Sequence, residues 1–564
     1  MSELATAYAQ FKAGELTKAE KLLRGLINTN SSNVQAHHLL SIVLKAQTQF
    51  LPALNAIDKA LKLAPDDVNI RYEKIQILKA KGDISEAVKL SESLLEKYPD
   101  YINAATLAGN YWLGQDYPEH ALEIFNQALE HAPANPVLLR GQIFALKDTQ
   151  AHEDAWEALG KIGDAPDLLY TKGQLYMEGF EPGKAITAFE EALNHPPIFM
   201  KAARDLLQCA YMSGGPEKVK AYMDKVETQF PEHYEFFLIA AEVCNEIGLG
   251  DEALDWIEKF EHKSGPHAQS ETSRSMVYIK VGEEEKAFEA AQRGLALSPD
   301  HEGAAMGLAQ SALMARRPEL ALKTARQYFK ARPDKQSFWT AMEATALRVM
   351  GKDKAYHKLM DYDKMIGVYD LDAPEGYECL ESFLDALKTQ LLSLHEWQEH
   401  PLFQSLRQGT QTSQDLRHLK HTVLQSFFKA IEKPIEHYIA AMPPQADHPF
   451  FGRKAETFRL SGAWSVALRP GGFHVNHIHP KGWISSSFYV DVPKGIEDSV
   501  EKSGWIQFGA PPFEVADSGP EHFICPKPGR LVLFPSYMWH GTIPFQQGER
   551  RLTLPFDIMP LTSL

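Results

Sequence analysis

Proline returns in this chain at a fixed interval. Pro65, Pro99 and Pro133 are 34 residues apart, as are Pro197 and Pro231, and Pro299 and Pro333. Ala53, Ala87, Ala121, Ala185, Ala287 and Ala321 each lie twelve positions before one of these prolines. In several units a further small residue lies twelve positions earlier: Ser41, Gly109, Gly173, Ser275 and Ala309. A small side chain lets two helix backbones approach closely, and proline cannot continue the helix before it. A period of this length predicts stacked helical pairs, each burying its apolar face only against its neighbours.

The pattern resembles the tetratricopeptide repeat, and "NAATLAGNYWLGQDYPEHALEIFNQALEHAPANP" (103–136) is its cleanest unit. About ten such pairs fill residues 1–366 as an all-α solenoid, with the period blurred around 137–166 and 234–267. An array of this kind curves and offers a groove to peptides or protein segments.

After "YDLDAPEG" (369–376) the period stops. Residues 367–449 read as a helical bridge: "ECLESFLDALKTQLLSL" and "DLRHLKHTVLQSFFKAIEKPIEHYIAAM" space their apolar residues as helices do. The intervening "HPLFQSLRQGTQT" (400–412) is polar and reads as a turn. From about 450 the runs become short, β-branched and aromatic, as in "WSVALRP", "ISSSFYVDVP", "GRLVLFPS" and "RLTLPFDIMP". No helix alternates with them. Residues 450–564 therefore predict a small antiparallel sandwich or barrel. The chain is thus an α + β multidomain protein, as its 564 residues require.

"FHVNHIHPKGW" (473–483) concentrates imidazole at the entrance to this region. On an extended strand, His477 and His479 point to one face, and His540 in "LFPSYMWHGTIPF" is a candidate third ligand. His474, three residues before His477, would face the other way and is read as a rim, supporting or substrate-side residue. Asp491 is an alternative to His479 as the ligand that completes the site. Arg551 opens the strand "RLTLPFD"; lining a barrel, it would need an anion such as a dicarboxylate. Arg550 is its rival, because adjacent strand residues point opposite ways. Trp483, Trp505 and Phe508 are candidate cavity walls as well as ordinary core residues.

"HIHPKGWISSSFYVDVP", then "PKPGRLVLFPSYMWHGTIPF" and "ERRLTLPFD", resemble the iron(II)/2-oxoglutarate dioxygenases. More narrowly, they resemble bacterial oxygenases that follow tetratricopeptide repeats and are related to prolyl hydroxylases. "PLFQSLRQGTQT" resembles the upstream segment of that group. The resemblance covers roughly 395–564 and implies a double-stranded β-helix, a jelly-roll or cupin-like fold. It implies His477 and His540 as ligands to Fe(II), with 2-oxoglutarate and O2 as co-substrates. It implies Arg551 as the base holding the 2-oxoglutarate tail and Tyr489 as a hydrogen-bonding partner of that co-substrate. The chain departs from the wider superfamily at His479, where a carboxylate is usual.

These readings imply a hydroxylase acting on a protein or peptide presented by the repeats. Two alternatives stand beside it: a three-histidine dioxygenase that does not use 2-oxoglutarate, and a repeat scaffold with a silent β-domain. A formal charge of −16 argues against a nucleic-acid or anionic-membrane partner. No apolar run reaches the roughly 18 residues of a membrane span, and the start lacks a basic-then-apolar leader, so a cytoplasmic protein is expected. Cys209, Cys244, Cys379 and Cys525 form no Cys-x-x-Cys pair and read as buried free thiols. The array could also dimerise the chain.

Overall fold

The computed structural model describes residues 2–163, 165–332, 335–546 and 548–561. Contacts divide the chain into two compact units, with the division between Asp164 and Ala165.

Helices occupy both units from Glu3 to Met365, twenty-two segments among the described residues. Phe199–Gln229 is broken at Gly215, where φ is +69° and Pro216 follows. Pro65, Pro99, Pro133, Pro197, Pro231 and Pro299 all lie in turns between helices; Pro333 lies outside the described residues. The six alanines of the period are fully buried. Close helix crossings explain them. A Cβ added at Gly109 or Gly141 would overlap the ring of Phe125, and one at Gly173 would overlap Phe189. The large ring supplied by one helix therefore requires bare backbone on its neighbours. No described helix is long and apolar enough to cross a membrane.

The second unit also contains the β-region. Its strands are β1 (Gly367–Asp370), β2 (Leu406–Gln411), β3 (Thr457–Ala463), β4 (Val466–His474), β5 (Ile484–Asp491), β6 (Ile506–Phe508), β7 (His522–Ile524), β8 (Arg530–Pro535), β9 (His540–Thr542), β10 (Arg551–Thr553) and β11 (Phe556–Leu561). Every pairing is antiparallel. One sheet runs β1-β8-β5-β10-β4-β2, with β11 joining β5 to β3; a second runs β7-β6-β9. This is the two-sheet architecture of a double-stranded β-helix.

Two features of 367–449 differ from the helical reading. Residues 367–370 form edge strand β1 against β8, and 406–411 form β2 against β4. The second lay within the stretch read as a turn. Its apolar signal is one buried residue, Leu406, and the register shifts between Arg407 and Gly409, with Gln408 at φ +55°. A bulge and a polar composition hide a strand from a period-2 search.

The helices Leu380–Leu392 and Thr422–Ala441 lay Phe383, Leu387, Phe427 and Ile431 on the larger sheet, against Phe488, Leu531, Leu533 and Phe556. Each such side chain contributes about 1.5–3 kcal/mol on burial. Repeat helices of the same unit brace the other side. Ser337 Oγ donates to the Gly482 carbonyl (3.2 Å), Trp539 Nε1 donates to Thr345 Oγ1 (3.0 Å), and Arg348 donates to the Gly509 and Gly519 carbonyls (3.1 and 2.9 Å). Trp397 and Leu402 are buried in the repeat core itself. All four cysteines are free; Cys209 and Cys244 are buried, but Cys379 is exposed and Cys525 half-buried, since both lie outside the packed helix faces.

Candidate metal centre

After β4 the chain leaves the ladder at Val475 and returns to it at a single bridge. His477 N donates to the His540 carbonyl (2.9 Å), and His540 N donates to the His477 carbonyl (3.0 Å). That reciprocal pair sets the two imidazoles 4.2 Å apart, centroid to centroid. His479 is anchored by its own N–H to the Ser536 carbonyl (2.9 Å), and its ring lies 5.3 Å from His477 and 5.2 Å from His540. One nitrogen from each of the three rings lies within 4.8 Å of the others, so the trio could hold a metal ion.

Each ring is oriented through its other nitrogen. His477 Nδ1 lies 2.8 Å from the Val475 carbonyl, and His540 Nδ1 lies 2.9 Å from the Met538 carbonyl. A carbonyl only accepts, so both Nδ1 atoms carry the proton and both Nε2 lone pairs are left free. His479 Nδ1 sits 2.6 and 2.8 Å from the two oxygens of Asp557, which fixes the same tautomer. His477 Nε2 and His479 Nε2 face each other at 3.3 Å. A metal ion or a single shared proton would hold two such nitrogens together. Burial and the neighbouring imidazoles push His477 down to about 3 and His540 well below the ordinary histidine range, so both are neutral at pH 7, as ligands must be. Phe534 (4.6 Å) and Phe508 (6.4 Å) cover His540, and Trp464 (5.9 Å) covers His479.

Ser405 reaches the same point from the loop before β2. Its hydroxyl lies 2.9 Å from His474 Nδ1 and 3.2 Å from His477 Nε2. His474 does not face away from His477, as strand alternation predicted. The rings are 5.9 Å apart and nearly parallel, because β4 ends at His474 and alternation applies only within a strand.

Arg551, at the head of β10 opposite Leu468, is 2% exposed. Its guanidinium sits 4.9 Å from the centroid of the fully buried Tyr489 ring. Arg551 Nε and Tyr489 Oη have no hydrogen-bond partner. No carboxylate pairs with Arg551 among the described residues. An uncompensated buried charge costs several kcal/mol, and an anion with an oxygen accepting from each group would offset it. These residues, an imidazole trio and a buried guanidinium without a carboxylate partner in the same β-region, fit Fe(II) and a dicarboxylate.

Four other candidates lie elsewhere. Arg550 is exposed, since register turns it out where Arg551 turns in. Asp491 pairs with Lys388 at 2.6 Å and is not among the clustered ligand atoms. Trp483 is core: its indole donates to the Phe450 carbonyl (3.1 Å) and packs on that ring rather than on the histidines. Trp505 donates to the Ile496 carbonyl (3.0 Å). Asp557, Ser405 and Trp464 are not among the residues that the sequence singles out. Asp557 carried one usable signal, a lone carboxylate in an apolar strand; Ser405 and Trp464 carried none.

Comparison with known proteins adds two findings. Residues 462–557, which contain all three histidines, Tyr489, Arg551 and Asp557, match the family described as "Putative 2OG-Fe(II) oxygenase". A tetratricopeptide-repeat protein of Methanocaldococcus jannaschii is 23% identical over 216 residues, 38% of this chain and 32% of that protein. Tetratricopeptide repeat protein 8 of Caenorhabditis elegans is 24% identical over 203 residues, 35% and 39% of the two chains. The chain thus spans well under half the length of these curated relatives. Among solved structures, yeast Tom70 is similar at 14% identity with a TM-score of 0.28, over 64% of this chain and 96% of that one. Tetratricopeptide-type repeats therefore precede a segment of the 2-oxoglutarate/iron oxygenase type.

Proposed function

We propose that this chain is an Fe(II)- and 2-oxoglutarate-dependent dioxygenase that hydroxylates a side chain of a protein or peptide. The observation that carries the reading is Arg551: a guanidinium 2% exposed, with an unpartnered Nε, in the same small β-region as three converging imidazoles.

On this reading His477, His479 and His540 would hold iron through Nε2. Arg551 would take the distal carboxylate of 2-oxoglutarate, with Tyr489 Oη donating to the same group. The iron, when bound, supplies oxygen activation coupled to decarboxylation of 2-oxoglutarate. The protein supplies orientation and dryness. Val475, Met538 and Asp557 hold the three rings; Phe508, Phe534 and Trp464 exclude water; Ser405 and His474 occupy the substrate side. Recognition of a polypeptide falls to the repeats, in the cytoplasm, where free thiols such as the exposed Cys379 are at home.

The test is succinate formation from 2-oxoglutarate by anaerobically purified, iron-loaded protein, followed by mass-spectrometric search for a +16 Da product on candidate polypeptides. Absence of succinate from iron-loaded protein would reject the co-substrate. A three-histidine dioxygenase independent of 2-oxoglutarate would then remain, and its activity would be indifferent to Arg551→Ala.

A further inference from the structure

The usual facial site for Fe(II) combines two histidines with one carboxylate. Three imidazole ligands give such a site the same number of ligands and one negative charge fewer. In this protein a carboxylate stands one layer out. Asp557 places both oxygens within 2.8 Å of His479 Nδ1. Its Oδ1 also accepts from Ser485 Oγ (2.7 Å), which lies 2.9 Å from Ser536 Oγ. Among the described residues Asp557 pairs with no lysine or arginine, and its ion-pair contact is His479.

The three rings are not treated alike. His477 and His540 donate Nδ1–H to neutral backbone carbonyls, of Val475 and Met538. His479 alone donates to a carboxylate, and does so at the shortest distance of the three, 2.6 Å. A hydrogen bond from an imidazole N–H to an anion draws the proton away and makes the opposite nitrogen a stronger, more anionic donor. The effect reaches Nε2, the atom aimed at His477 and the shared ligand point.

We propose that Asp557 is a positioning residue that returns the missing negative charge to the metal centre through His479, so that the Asp557–His479 pair acts as a single anionic ligand. Ser485 anchors the carboxylate by donating to Oδ1, and the Ser536 hydroxyl completes the chain. The inference rests on the metal reading above, and it predicts a specific dependence between two positions. If the charge is what matters, a carboxylate placed directly at 479 makes the one at 557 superfluous and, by like-charge repulsion, unfavourable.

The experiment measures Co(II) and Fe(II) affinity by anaerobic competition with a chelator, and the visible spectrum of the Co(II) form. It uses the full chain as parent, D557N, D557E, H479D and the double variant H479D/D557N, each checked for native circular dichroism. In the parent background D557N should weaken metal binding about ten- to a hundredfold and shift the Co(II) bands, while D557E recovers part of the loss. In the H479D background D557N should cost nothing or improve binding. Equal losses in both backgrounds would make Asp557 merely structural and overturn the proposal, as would a D557N chain that binds like the parent. A parent chain that binds neither metal would overturn the metal reading and this inference with it. Should D557N fail to fold, the comparison of H479D with the double variant still decides the sign.

Discussion

The repeat helices and the β-region solve their packing at different ranges along the chain. In the repeats the partner is near: Ser275 Oγ donates to the Ala287 carbonyl twelve residues on, and Phe125 fits between Gly109 and Gly141 of the adjoining helices. In the β-region the partner is far: His479 meets Asp557 across 78 residues, and Ser405 meets His477 across 72. A local error in the repeats is confined to neighbours. An error in the β-region moves a ligand. The difference teaches where each half tolerates change, and the experiments below press on it.

The largest effect should come from cutting the chain inside the second unit. A chain beginning at Ala165 keeps every brace described for the β-region and should melt cooperatively with parental iron affinity. One beginning at Ala373 lacks β1 and the helices that hold Trp539 and Gly482, and it should be insoluble or molten by near-ultraviolet circular dichroism. A well-folded short chain would mean that the far contacts are dispensable.

His477→Ala and His540→Ala should each abolish stoichiometric Fe(II) binding, read by anaerobic titration, with little change in melting temperature. Iron binding like the parent's in both variants would put the metal elsewhere. Arg551→Ala should leave iron bound and weaken 2-oxoglutarate by about 2–5 kcal/mol, roughly thirtyfold to several thousandfold in Kd. Arg550→Ala, on the exposed neighbour, should change that Kd little.

Phe125→Ala probes the other side of the comparison. It empties the space between two glycine-bearing helices and should lower the stability of the first unit by about 3–5 kcal/mol in urea. Iron affinity should not move. A loss of iron affinity in this variant would show that the repeats are not locally buffered.

The smallest effect is a pH slope. His395 lies between Thr410 Oγ1 (2.8 Å) and Ser465 Oγ (3.0 Å), and burial, with Arg550 nearby, holds it down to about 4 from its ordinary 6.5. Its folded pKa is below its unfolded one, so the unfolded chain binds the extra proton first. Stability is therefore lost as pH falls from about 6.5 towards 4. His395→Gln should flatten the urea-midpoint profile across that window and leave it unchanged above pH 7.

Much of this was legible before any coordinates. The 34-residue period is repeated information, and each proline and alanine supports the same reading, so turns and crossings in the repeats could be read directly from residues such as Ala121 and Pro133. The imidazole trio was legible less from the pair His477 and His479, which is not rare among 22 histidines, than from its company with His540 and Arg551 near strand ends. The edge strands β1 and β2 were not legible. Each is short, and β2 is bulged and polar.

The sequence by itself determined the two architectures, the presence of an imidazole cluster and an arginine pair at the head of a late strand, since all three follow from residue type and local spacing. Only the tertiary structure decided which nitrogen each histidine offers, that His474 turns back towards His477, that Arg551 rather than Arg550 is inside, and that Asp557 stands behind His479. Those are questions of register and return. A ladder shifted by one residue exchanges the two faces of a strand, and no local pattern records which distant strand will lie beside it.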